Sequence, residues 1–70
     1  MDTTDRHPGT QAIARHFSYA HLPQHLRPIS EACHDLAEEM IRRLPDGPEL
    51  TAGLRKLLEA KDCLVRAALD

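Results

Sequence analysis

Aromatic side chains are nearly missing from this chain: Phe17 and Tyr19 are its only two, and it has no tryptophan. Any core must therefore be aliphatic, and the short window holding both rings is marked for attention. A charge imbalance is missing too. Nine Lys and Arg stand against eleven Asp and Glu, a formal charge of −2 with neutral histidines. No global basic field exists to attract long nucleic acid, although a local basic pocket is compatible with that balance. No apolar run approaches the ~20 residues needed to span a bilayer, so no membrane partner is expected. The opening Met1-Asp2-Thr3-Thr4-Asp5 is acidic and polar where a secretory leader needs a basic start and an apolar core. Cysteine is sparse, with only Cys33 and Cys63, both in stretches expected to be helical. The expected setting is reduced and cytoplasmic, with both thiols acting as small core residues. A disulfide between paired helices is the alternative. Seventy residues allow one small domain whose core is marginal without a disulfide, a metal or self-association.

What is present is helical periodicity. Residues 1–12 are polar, contain Pro8-Gly9 and show no apolar period, which predicts a disordered tail ahead of a domain spanning 13–70. Ile13 to His21 carries Ile13, Phe17 and Tyr19 among polar residues. With no second strand signal in the chain, it is expected as an extended N-terminal arm packed across helices. A short turn at Pro23–Leu26 and a main helix from about Pro28 reconcile the two prolines. That helix sets Ile29, Ala32, Cys33, Leu36, Ala37, Met40, Ile41 and Leu44 on one face. Acidic residues dominate its early turns and arginines its last, the order that the helix dipole favours. Pro45-Asp46-Gly47-Pro48 then stops one helix and starts the next, with Asp46 as N-cap, Pro48 in the first turn and Glu49 completing a capping box. So short a connection predicts an antiparallel two-helix hairpin, all-α. Leu50, Leu54, Leu57, Leu58, Leu64, Val65, Ala68 and Leu69 form a stripe wider than one partner helix covers, which argues for a helical oligomer.

Basic residues interrupt that stripe. Lys61 shares the face of Leu57 and Leu64, with Arg66 beyond it and Arg55 and Lys56 before it. Either their stems cover apolar surface while the heads reach water, supported by Arg55–Glu59 and Asp62–Arg66 spacings, or Lys61 and Arg66 serve a phosphate pocket at a subunit junction. Tyr19 has the same two readings: it covers an edge while Phe17 anchors the arm, or it offers a flat surface on which a base stacks. His16, His21, His25 and His34 with Cys33 do not match a zinc-ligand spacing. Ser18 and Ser30 lie in no nucleophile elbow or glycine-rich loop, so neither a metal, a cofactor nor catalysis is expected.

The order of these elements resembles a family of small phage helical-hairpin proteins that counter CBASS and Thoeris defence by sequestering cyclic nucleotide signals. The resembling residues are Phe17-Ser18-Tyr19 with a nearby histidine, Leu36-Ala37, the turn Pro45-Asp46-Gly47-Pro48-Glu49, and Leu57-Leu58-Glu59-Ala60. The resemblance covers about Arg15 to Leu69. It implies a non-catalytic sponge, a homo-oligomer from dimer to hexamer in the cytoplasm of an infected bacterial host. Cyclic dinucleotides or related signals would be held between protomers. It implies a base-stacking role for Tyr19. The family's basic residue early in the first helix is replaced here by Ser30 or His34, with Arg27 one turn away, and a helix-two arginine corresponds to Arg66. In that reading Arg27, Lys61 and Arg66 pair with phosphates. The alternative is a helical-hairpin module whose apolar stripe docks another protein without binding nucleotide.

Overall fold

The computed structural model describes residues 1–69. Among them the chain is all-helical, without a strand: α1 (Pro8–Ala14), a single turn of 3-10 helix at Arg15–Phe17, α2 (Arg27–Arg43) and α3 (Pro48–Leu69). The molecule measures 36 × 19 × 18 Å. Its long dimension is close to the roughly 33 Å expected of the 22-residue α3 at 1.5 Å per residue.

The start of the chain departs from expectation. In place of a structureless tail and an extended arm, Pro8–Ala14 is helical, and Arg15–Phe17 continues it as a tighter turn. Two local devices start α1. Pro8 occupies its first turn, and the His7 side chain caps it, Nδ1 accepting the Gly9 N–H at 2.9 Å. The Gly9 N–H is one of the donors a helix start leaves without a partner. The buried face is Thr10, Ile13, Ala14 and Phe17, spaced three, one and three apart, with Phe17 fully enclosed. Burying a phenylalanine contributes about 3 kcal/mol, which suffices to hold a helix too short to stand alone. The period was hidden because threonine does not read as apolar and histidine is a rare cap.

α2 follows the expected restart. The Leu26 N–H donates to the Pro23 carbonyl at 2.9 Å, closing a turn, and Pro28 sits in the first turn of α2, where its missing donor costs nothing. The helix ends with Arg42 and Arg43, both bonded to the Glu39 carboxylate, before Leu44 turns extended. Its buried stripe is narrower than predicted: Ser30, Cys33, Ala37 and Ile41 are enclosed, while Leu36 and Leu44 stay 49% and 43% exposed. Phe17, Leu50 and Leu54 share one core cluster with Ala37, and Leu36 stands about 100° around the helix from it.

The α2–α3 connection also differs. Asp46 does not cap α3. Its carboxylate turns to the start of the chain, accepting the His7 backbone N–H and the Arg6 guanidinium, each at 3.2 Å. Gly47 precedes Pro48 directly, and the Thr51 N–H donates to its carbonyl at 3.2 Å to open the helix. Two donors from the N-terminal segment have captured the carboxylate that the capping box needed.

In α3 only Leu50 and Leu54 are buried, with Leu57 and Leu58 partly covered by the same core. Beyond them Leu64 and Leu69 are 52% and 61% exposed, so the last turns are little covered by the other described residues. The thiols split accordingly: Cys33 is buried, while Cys63, expected in a core, is exposed on that uncovered end, and both are free. Among the described residues no helix is long and apolar enough to cross a membrane.

Candidate ligand groove

Once Phe17 is buried, its neighbours are fixed around it. Ser18 is extended, and its hydroxyl donates back to the Arg15 carbonyl at 3.1 Å. That bond ties the end of the turn to its beginning and leaves Tyr19 lying over α2. There the tyrosine ring meets His34 edge to face, with centroids 5.1 Å apart and planes at 71°. His34 is held from behind, its Nδ1 lying 3.1 Å from Asp35 Oδ1. Gln11, Arg15, Ser18, Tyr19 and His34 wall a groove of about 390 Å³, and Thr3 forms part of its lip. Gln11 also donates through Nε2 to the Arg6 carbonyl at 2.7 Å, and the Arg6 N–H donates in turn to the Thr3 carbonyl at 2.9 Å.

A third element fixes the wall from outside. The Lys61 ammonium, whose side chain is only 13% exposed, donates to the His16 carbonyl at 2.9 Å. A cation at the carbonyl end of a helical turn meets the negative pole of that turn. Lys61 therefore fastens the turn to α3, and Asp62 at 3.5 Å is its weaker second partner.

The residues singled out from sequence do not converge. Tyr19 and His34 share the groove. Ser30 is fully buried and its hydroxyl finds no partner. The Arg27 Nε donates to the Leu22 carbonyl at 2.8 Å, bracing the loop before α2. Lys61 serves the His16 carbonyl, and the Arg66 guanidinium lies 3.3 Å from Cys63 Sγ on the uncovered end of α3. None of these four lines the groove. Among the described residues the Arg55–Glu59 and Asp62–Arg66 pairs do not form.

Arg15, which the sequence reading passed over, is in the wall. It stands two residues before the buried Phe17, and that signal was legible only to a reader who had placed the window in a helical turn. The groove offers a planar ring, N–H donors and the Arg15 guanidinium as its one cationic side chain; the ammonium of Met1, also in the lining, is paired with Glu38 at 3.5 Å, and no carboxylate lines the wall. Such a surface suits an uncharged or anionic ligand with a flat group. Of the titratable groups, exposed Asp2 is displaced: its carboxyl is lowered, first by the Thr4 hydroxyl bond and then by the Thr4 backbone N–H. Among the described residues no group of His, Cys, Asp or Glu is placed to hold a metal ion.

Comparison with protein-family models, with curated proteins and with solved structures yields no match to this chain.

Proposed function

We propose that this protein is a non-catalytic sponge: a helical-hairpin homo-oligomer that sequesters cyclic dinucleotides or related cyclic signals, in pockets between protomers, and so blocks antiphage defence signalling. One observation carries the reading. Tyr19, half-exposed and held edge-on by His34 at 5.1 Å, presents its ring in a groove of about 390 Å³ with no carboxylate in the wall. That volume falls within the roughly 300–1,000 Å³ of small-ligand sites, and an aromatic face contributes about 1–3 kcal/mol per stacked base. Self-association is supported by Leu64 and Leu69, whose exposure on α3 leaves apolar surface for a second copy.

A thermal-shift screen against cyclic dinucleotides, cyclic trinucleotides and cyclic ADP-ribose isomers tests it. Ligand at 100 times its dissociation constant adds about 2.7 kcal/mol, a shift of several degrees for a small domain. Release of intact ligand on denaturation is the expected result. Tyr19→Ala should keep the assembly and lose the shift. A monomer at micromolar concentration by sedimentation, or no shift with any nucleotide, would refute the sponge.

The second reading, a hairpin module that docks another protein, is favoured by that same uncovered end of α3. It predicts a protein partner that competes with self-association and is indifferent to Tyr19→Ala.

A further inference from the structure

We propose that Arg15 reads the anionic group of the ligand in the Tyr19–His34 groove, so that the site selects nucleotides over nucleosides. The proposal rests on the nucleotide reading above and goes beyond it by assigning the charge contact.

The first ground is position. Arg15 and Tyr19 belong to one short segment, with the fully buried Phe17 midway between them as its anchor. The Ser18 hydroxyl bonded to the Arg15 carbonyl at 3.1 Å locks their spacing. Tyr19 and Arg15 therefore line the same groove from one short segment, the arrangement a base joined to a phosphate requires.

The second ground is availability. Arg15 is exposed, and among the described residues its side chain makes no ion pair and no hydrogen bond. The other cations brought forward as phosphate ligands have protein partners: Arg27 the Leu22 carbonyl, Lys61 the His16 carbonyl, Arg66 the Cys63 sulfur. An arginine free of carboxylates keeps its planar fork for two parallel bonds to phosphate oxygens.

The third ground is the local field. The chain carries a formal charge of −2, so attraction of an anion has to come from the site itself. The groove supplies it: Arg15 is the lining side chain with a permanent charge, no Asp or Glu lines the wall, and the ammonium of Met1, also in the lining, is already paired with Glu38 at 3.5 Å. His34 is not a substitute, because its Nδ1 already has a partner in Asp35 Oδ1 at 3.1 Å.

The test compares guanosine with 5′-GMP, and adenosine with 5′-AMP, by calorimetry on the full chain. The unmodified protein should bind each nucleotide about tenfold or more tighter than its nucleoside, the ratio expected of a charge-assisted bond. Arg15→Gln should bring that ratio to near one while keeping nucleoside affinity and melting temperature. Arg15→Lys, which keeps charge without the fork, should fall between. In the unmodified protein the Arg15 Nε–Hε resonance should move with 5′-GMP and stay still with guanosine, a readout independent of how well any variant folds. A ratio that survives Arg15→Gln, or that Arg27→Gln or Arg66→Gln erases instead, overturns the assignment and leaves the nucleotide reading standing. Absence of binding by all four probes and by the cyclic dinucleotides removes both.

Discussion

Replacing Lys61 by methionine isolates the bond that fastens the Arg15–Phe17 turn to α3. The substitution keeps most of the stem, whose side chain is only 13% exposed, and deletes the ammonium that donates to the His16 carbonyl at 2.9 Å. A hydrogen bond from a charged donor contributes about 1.5–3 kcal/mol. His16 is exposed, so water can reach its carbonyl once the ammonium is gone, and the lower end applies. A loss of about 1.5 kcal/mol corresponds to roughly 6–12 °C in melting temperature for a domain of this size. The cost should be local as well as global. Amide exchange at Phe17 and Ser18 should accelerate more than exchange in the middle of α2, because the turn loses its only tie to α3 through a side-chain bond among the described residues. Nucleotide affinity should fall, since Arg15 and Tyr19 ride on that turn, and Lys61→Arg should restore most of it. Asp62→Asn should change little, because Asp62 is the weaker contact at 3.5 Å. A Lys61→Met protein with unaltered melting temperature and unaltered exchange at Phe17 and Ser18 would show that the contact does not hold the turn.

Ser30→Ala removes a fully buried hydroxyl that lacks a partner, and it should leave stability unchanged or raise it by up to about 1 kcal/mol in urea unfolding. Nucleotide affinity should not move, because Ser30 is out of reach of any ligand in the groove; a tenfold loss would return it to the site. Asp46→Ala frees both the His7 N–H and the Arg6 guanidinium, and should cost about 1 kcal/mol with faster exchange confined to the start of α1. A protein that instead frays at Pro48–Thr51 would restore Asp46 as the cap of α3. Gly53→Ala places a methyl where nothing lies within 4 Å, on an exposed helical turn, and should stabilise by about 0.8–1 kcal/mol. A loss on that substitution would mean that a second copy packs against this face.

The main helices were legible because each is punctuated by proline and carries an apolar period. Pro28 and Pro48 each entered a first turn as their chemistry requires. The first helix was not legible, because its burial depends on Thr10 and its cap on His7, neither of which carries the usual signal. The connection was misread for a different reason. Asp46 has the spacing of a cap, but Arg6 and His7 compete for it from about forty residues away, and local pattern cannot register a distant competitor. The groove was half legible. Tyr19 stood out by rarity, and His34 only as one of two residues, with Ser30, that the resemblance set at a ligand position. Arg15 became visible only when Phe17 was seen to be buried between it and the tyrosine. Lys61 stood out as a cation on an apolar face, but its carbonyl partner lies in another element and could not be read from its own helix.

Lys61 also marks where α3 changes character. Before it, Leu50, Leu54, Leu57 and Leu58 pack on the chain's own core; after it, Leu64 and Leu69 are more than half exposed among the described residues. The residue that fastens the groove's turn therefore sits next to the part of α3 that a second copy would cover. If protomers associate through Leu64 and Leu69, the last turns of α3 are held against fraying, and the Lys61 anchor is held with them. Binding and assembly are then linked, and linkage is reciprocal: ligand must strengthen assembly by the factor by which assembly strengthens binding. Leu64→Glu places a charge in that interface and should weaken association. Its nucleotide affinity should fall even though residue 64 is not part of the groove wall. The unmodified protein diluted below the dissociation constant of its assembly should show the same lower affinity. Equal affinity in the dissociated and assembled states would mean that the groove is complete within one chain, and that the exposed end of α3 serves another purpose.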